Sequence, residues 1–193
     1  MQNQTPPPEP SLEELLARCP KDPGALERLY RSLHRKVFAF AFSLLQDTGL
    51  AEDCMQETFI RLPSAAARYT PKQAGMTFIL AICKNVTRET LRNRGRFPVA
   101  SEDFDLRGGG DFTEAVILRD LLGKLGKKQR QIVVLHHYGG LTFTEIGKLL
   151  RTPASTVKSR YSRALTLLRE ACDAGPLAEP INERMVHYGI LGK

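Results

Sequence analysis

The chain has 193 residues, 42% of them hydrophobic, with 28 Lys and Arg against 21 Asp and Glu for a formal net charge of +7. That is enough chain for one ordinary domain or two small ones, with enough apolar content for real cores. No apolar run approaches the roughly 20 residues that span a bilayer. MQNQTPPPEP also lacks the basic-then-apolar order of a signal peptide, so the cytoplasm is the expected compartment and membrane insertion is not expected.

The charge is uneven. Residues 1–100 carry a net +4, residues 101–114 a net −4, residues 115–172 a net +8 and residues 173–193 a net −1. Two basic blocks separated by an acidic one suggest two nucleic-acid-facing modules joined by a distinct linker. Cys19, Cys54, Cys83 and Cys172 are widely spaced and form no CxxC, so neither a disulfide nor a metal site is expected. His136 and His137 are adjacent and point to different sides of a helix, which is poor ligand geometry. With no phosphate loop, no paired carboxylates and no Ser/His/Asp or Cys/His spacing, the expectation is a protein without cofactor or catalysis.

In chain order, residues 1–10 are Pro-rich and read as disordered, within an N-terminal extension 1–23. A first long helix is predicted at about Gly24–Gln46, with Leu26, Leu29, Leu33, Val37, Phe40, Ala41, Leu44 and Leu45 as its buried stripe, ended by Asp47, Thr48 and Gly49. A second begins near Leu50, turning Cys54, Met55, Phe59 and Leu62 inward. Its first turns hold Glu52, Asp53, Gln56 and Glu57, suited to the positive end of the helix dipole. That patch reads either as capping and solubility or as a docking surface for a basic partner. Pro63 is expected to stop or bend this helix.

Tyr69–Thr77 reads as a loop, and a third helix spans about Phe78–Asn93. Lys84, Arg88 and Arg92 recur every four residues on one of its faces, with Arg94 and Arg96 beyond. Cations to neutralise a backbone and aromatics (Tyr69, Phe78) to stack bases suit single-stranded nucleic acid, although such a stripe is also compatible with a merely solvated face. Gly95–Thr113, with Gly108–Gly110 and Glu102, Asp103, Asp105 and Asp111, keeps no helical period and reads as a flexible acidic linker. Helices resume at about Thr113–Leu125 and Lys128–Tyr138, the latter stopped by Gly139-Gly140.

Leu141–Arg169 carries the most information. Thr142 and Glu145 form a capping box that starts a short helix with Phe143, Ile146, Leu149 and Leu150 on its apolar side. Arg151 turns the chain, and Thr152-Pro153 is a second start signal. In the helix that follows, Val157, Tyr161, Ala164, Leu165 and Leu168 share one side. Ser155, Thr156, Lys158, Ser159, Arg160, Ser162, Arg163 and Thr166 take the rest. Hydroxyls, an ammonium and guanidinium forks are groups that reach phosphates and base edges, and a helix-turn-helix lays such a second helix in the DNA major groove. A plain helical hairpin with a solvated charged face is the alternative. After Cys172 no segment has a convincing period, and nowhere do residues alternate as in a strand, so the expected fold class is all-α.

Three blocks in this order resemble the sigma-70 family of bacterial transcription initiation factors, in its compact extracytoplasmic-function (ECF) form. AEDCMQETFIRL (Ala51–Leu62) is similar to the family's acidic helix that docks on the clamp of RNA polymerase. TFILAICKNVTRETLRNR (Thr77–Arg94) is similar to the helix that melts and holds the −10 promoter element, and GLTFTEIGKLLRTPASTVKSRYSRALTLLRE (Gly140–Glu170) to the −35-binding helix-turn-helix. The chain departs from the family pattern with Pro63 and Phe78 for tryptophans, Gly147 for an alanine and Arg151 for a glycine.

The resemblance implies two small helical domains, a sigma region 2-like bundle at 24–96 and a region 4-like helix-turn-helix domain at 113–172. A flexible acidic linker at 97–112 joins them, and a tail of unknown role follows at 173–193. It implies docking on core RNA polymerase (β′ clamp and β flap) through Glu52, Asp53, Gln56 and Glu57. Tyr69, Phe78, Lys84, Asn85, Arg88 and Arg92 would capture the −10 strand, and Thr156, Lys158, Ser159, Arg160, Ser162 and Arg163 would contact −35 duplex. It further implies promoter DNA as ligand, an anti-sigma protein as a common partner of the group, and passage of the linker through the polymerase's basic RNA exit path. The rival is a stand-alone helix-turn-helix regulator that occupies operators, which leaves the acidic helix and the second basic module without a use.

Overall fold

The structure is a computed structural model and describes residues 10–70, 74–94 and 122–173. Among the described residues there are seven helices and no strand. The first, α1 (Leu12–Arg18), lies in the stretch read from sequence as an extension. Ser11 starts it: its hydroxyl accepts the Glu14 N–H at 3.2 Å and the Glu14 carboxylate accepts the Ser11 N–H at 2.7 Å, a reciprocal capping box.

Helix α2 (Pro23–Leu45) begins where expected, with Asp22 accepting from the N–H groups of Gly24 and Ala25 and Pro23 in the first turn. It ends at Gln46, whose left-handed backbone (φ 56) turns the chain. Asp47 and Thr48 were expected to belong to that ending but open the next helix, α3 (Thr48–Ala66), where the Asp47 carboxylate accepts the Leu50 N–H at 2.9 Å.

Pro63 does not stop α3, contrary to the sequence expectation. An interior proline costs about 3 kcal/mol through a lost donor and a crowded carbonyl. Pro63 sits one turn from the helix end, and burial of Leu62 and Ala66 against the bundle holds that turn.

Helix α4 (Gly75–Arg94) starts three residues before the expected Phe78, so Gly75, Met76 and Thr77 are helical. Then come α5 (Lys127–His137), α6 (Phe143–Leu150) and α7 (Ala154–Asp173). The expected capping box between Thr142 and Glu145 is present at the start of α6. At α7 the start signal differs from the expected one. The Thr152 hydroxyl donates back to the Leu150 carbonyl at 3.3 Å, and the Pro153 carbonyl accepts the first helical N–H, from Val157, at 3.0 Å. The linker 97–112, most of the helix expected at Thr113–Leu125 and the tail beyond residue 173 lie outside the described residues.

Helices α1–α4 form one bundle around Leu16, Leu29, Phe40, Leu62, Ile79 and Leu80, and α5–α7 form a second unit around Leu125, Ile132, Leu135, Ile146, Val157 and Leu168. The two touch, because α5 lies along α2 and α6 meets α4. That contact explains two patterns no amphipathic stripe predicts. Val37 and the run Ala39–Ser43 are buried on every side of α2, and Ile132–Leu135 are four consecutive buried residues. No helix among the described residues is long and apolar enough to cross a membrane.

Candidate docking and nucleic-acid interfaces

On α3, the residues that keep Ala51, Cys54, Met55, Thr58, Phe59 and Leu62 buried leave Glu52, Asp53 and Gln56 exposed on the opposite side. Glu57 stands apart from them. Its carboxylate is held by Arg61 at 2.6 Å, and Arg61 reaches Glu89 of α4 at 2.7 Å, so Glu57 is half-buried in a link between two helices. Both carboxylates push the Arg61 guanidinium pKa up, Glu89 most. In the middle of the free acidic stripe sits Ile60, four residues after Gln56 and seven after Asp53, with 70% of its surface exposed. Periodicity alone flags it, since it falls on the polar side of an otherwise regular helix.

On α4, Phe78, Asn85 and Arg92 are seven residues apart and share one side, flanked by Lys84 and Arg88. Asn85, Arg88 and Arg92 are exposed and line a shallow pocket together with Glu89. Phe78 is half-buried, its ring 4.8 Å from that of Tyr69 at the end of the α3–α4 connection. Burial, then the negative charge of Glu13, holds the Tyr69 hydroxyl pKa above its ordinary value. Lys84 departs from the expected picture. Its ammonium donates to the Leu149 carbonyl of α6, and burial together with the nearby cations Arg151 and Arg88 lowers its pKa. The stripe is therefore split, with Arg88 and Arg92 facing solvent and Lys84 turned to the second unit.

On α7, Val157, Ala164 and Leu168 are buried, while Lys158, Ser159, Ser162 and Arg163 are exposed on the opposite face. Thr156 and Arg160 are half-buried at its flank. Among the described residues no carboxylate pairs with Lys158, Arg160 or Arg163. The inner side is anchored by an aromatic cluster. Tyr161 hydrogen-bonds His137 at 2.8 Å, stacks near His136 and Phe143, and His136 binds the Leu141 carbonyl at 2.9 Å. Burial, aided by His136, drops the His137 pKa to about 4, so the ring is neutral at neutral pH.

The turn that presents α7 has two unusual residues. Arg151 adopts φ 52, ψ 51, the left-handed region. At Gly147 a Cβ would lie 2.7 Å from the Thr152 carbonyl oxygen, because the Gly147 carbonyl accepts the Thr152 N–H at 2.9 Å across the tight turn. Glycine inside α6 is thus a steric requirement of this turn.

The buried thiols are structural: burial pushes the Cys83 pKa up to about 12, and it also raises Cys19 and Cys54. Among the described residues no group of three or more His, Cys, Asp or Glu is placed to hold a metal ion.

With this geometry in hand, the comparisons with known proteins are direct. Residues 29–97 match the family description "Sigma-70 region 2", and residues 115–168 match "Sigma-70, region 4". The chain is 30% identical over 177 residues to the ECF RNA polymerase sigma factor SigK of Mycobacterium tuberculosis, covering 84% of this chain and 94% of that protein. It is 29% identical over 160 residues to the probable RNA polymerase sigma-C factor of Mycobacterium bovis, covering 79% and 84%. Its fold is shared by the sigma factor RpoE of Bartonella quintana solved with the anti-sigma factor NepR (TM-score 0.60, 21% identity, 77% of this chain and 96% of that one). It is also shared by CnrH solved with the cytosolic domain of CnrY (TM-score 0.63, 22% identity, 84% and 97%). The chain belongs to the sigma-70 family of RNA polymerase sigma factors, in its ECF group.

Proposed function

We propose a division of labour for this sigma factor, which directs core RNA polymerase to promoters and starts transcription there. Residues 24–96 dock on polymerase and hold the −10 element, residues 97–112 are a flexible acidic linker, and residues 113–172 read the −35 element. Docking uses Glu52, Asp53 and Gln56 with Ile60 as the apolar centre of the patch, while Glu57 acts by fixing Arg61 between α3 and α4. A desolvated apolar residue ringed by charges is the common anatomy of a protein contact, and the acids select a basic partner surface.

The −35 duplex is read by Lys158, Ser159, Ser162 and Arg163, with Thr156 and Arg160 at the rim. The observation that carries this reading is the exposed cationic face of α7, unpaired among the described residues and backed by a buried reverse side. The −10 strand is captured by Tyr69 and Phe78 through base stacking and by Asn85, Arg88 and Arg92 through the pocket they line. Lys84 joins them only after leaving the Leu149 carbonyl, so −10 capture is coupled to separation of the two units. Strand opening is then driven by preferential binding of the melted form, with no covalent step.

The site of action is the cytoplasm, where the polymerase is. An anti-sigma protein is a partner of this chain on our reading, because RpoE and CnrH were each solved bound to a protein partner, NepR and CnrY.

The test is run-off transcription with core polymerase on a promoter library, combined with co-elution on gel filtration. Defined start sites that vanish in an Asp53→Ala/Ile60→Ala variant support the reading. Tight duplex binding by the chain with no polymerase association returns the stand-alone regulator.

A further inference from the structure

We propose that α1 is a positioning element for −10 strand capture, setting the first turn of α4 and with it the Tyr69–Phe78 aromatic pair; this rests on the reading that those aromatics stack promoter bases. Leu16 is fully buried and Leu12 half-buried where α1 crosses the start of α4. A Cβ on Gly75 would lie 2.8 Å from Leu16 Cδ1 and 3.0 Å from Leu12 Cγ, so the two helices approach more closely than any side chain at position 75 permits. Between those leucines, Glu13 Oε1 accepts the Gly75 N–H at 3.3 Å. That amide belongs to the first turn of α4, where N–H groups have no acceptor within the helix and a carboxylate complements the dipole. The charge of Glu13 is also felt at the Tyr69 hydroxyl.

One short helix therefore touches both sides of the aromatic pair, the α4 turn that carries Phe78 and the residue that ends the preceding segment. Stacking platforms gain from being held ready, since an ordered site loses less entropy on binding. Helix α1 precedes residues 29–97, the part that matches the family description, so its role is not contained in that match.

The experiment uses the full chain assembled with core polymerase. Three affinities are measured: for core itself, for a −35 duplex fragment, and for a fluorescein-labelled non-template −10 oligonucleotide, both DNAs taken from a promoter found in the run-off screen. Glu13→Ala is expected to weaken oligonucleotide binding about fivefold, as for one lost hydrogen bond to a charged group, with the other two affinities unchanged. Gly75→Ala should weaken it about tenfold through overpacking, and adding Leu16→Ala should recover part of that loss by emptying the space.

Unchanged oligonucleotide binding in Glu13→Ala and Gly75→Ala, while Phe78→Ala lowers it, overturns the inference and leaves the −10 reading standing. If Tyr69→Ala and Phe78→Ala also change nothing, the −10 reading fails and this inference with it. A parallel fall of all three affinities and of the thermal midpoint in Gly75→Ala, with Glu13→Ala silent, assigns α1 to fold support alone and overturns the positioning role.

Discussion

The basic faces of α7 and α4 have similar residues and opposite circumstances. On α7 the cations look outward, with Lys158 and Arg163 exposed and unpaired among the described residues. On α4 the first cation of the stripe, Lys84, is spent on the Leu149 carbonyl, and Glu89 in the same pocket is tied to Arg61. Charge pattern therefore does not distinguish a surface ready for a ligand from one already engaged within the molecule. What separates them is packing: α7 lies on α5 and α6 with its outer side open, whereas α4 lies between its own bundle and the second unit.

The largest expected effect tests the open face. Lys158→Ala/Arg163→Ala should weaken holoenzyme binding to −35 duplex by about 100-fold or more, if each contact is worth roughly 1–3 kcal/mol, and flatten the log–log salt slope by about 2. Filter binding across a salt series measures both, while −10 oligonucleotide binding should stay put.

Next comes the turn that exposes α7. Gly147→Ala sets a Cβ against the Thr152 carbonyl and should destabilise the second unit by about 1–3 kcal/mol, whereas Arg151→Gly should stabilise it by about 1 kcal/mol by relieving the left-handed strain. Thermal melts give the two signs, and both should leave −10 oligonucleotide affinity alone.

The engaged face is tested by Lys84→Met, which keeps the stem and removes the donor. Loss of one charge-assisted hydrogen bond should cost about 1 kcal/mol and speed hydrogen exchange in α6. In the holoenzyme it should reduce the salt slope for the −10 oligonucleotide by about 0.7. An unaltered exchange rate would show that this contact does not restrain the two units.

The smallest effect is pH. His137 faces His136, Phe143 and Tyr161, and its folded pKa of about 4 lies below the ordinary histidine value of 6.5. The unfolded chain then binds the extra proton first as pH falls. Stability of the second unit should be level above pH 6.5 and decline from there toward pH 4. Urea midpoints at pH 7.5 and 5 follow this, and His137→Phe should reduce the difference.

Several of these features are legible without coordinates. The Thr142/Glu145 capping box, the buried side of α7 and the acidic first turns of α3 follow from local rules acting within four residues or at helical spacing. The same capping rule, applied to Ser11 and Glu14, marks α1, but a proline-rich beginning and a helix of only seven residues hide it. Pro63 misleads because the cost of a proline is set locally, whereas Leu62 and Ala66 are held by helices distant in sequence. Ile60 is detectable as an apolar residue on the polar side, yet only its 70% exposure marks it as unpartnered among the described residues. The bond from Lys84 to Leu149, 65 residues away, has no sequence signature.

By itself the sequence determined an all-helical chain with two basic units and the family to which its three blocks belong, because helix periodicity, caps and charge are properties of neighbouring residues. Only the tertiary structure decided that α1 braces the start of α4, that Gly147 is required beneath Thr152, and that one basic face is open while the other is partly engaged. Those facts depend on which surfaces meet, and that is fixed by packing between residues far apart in the chain.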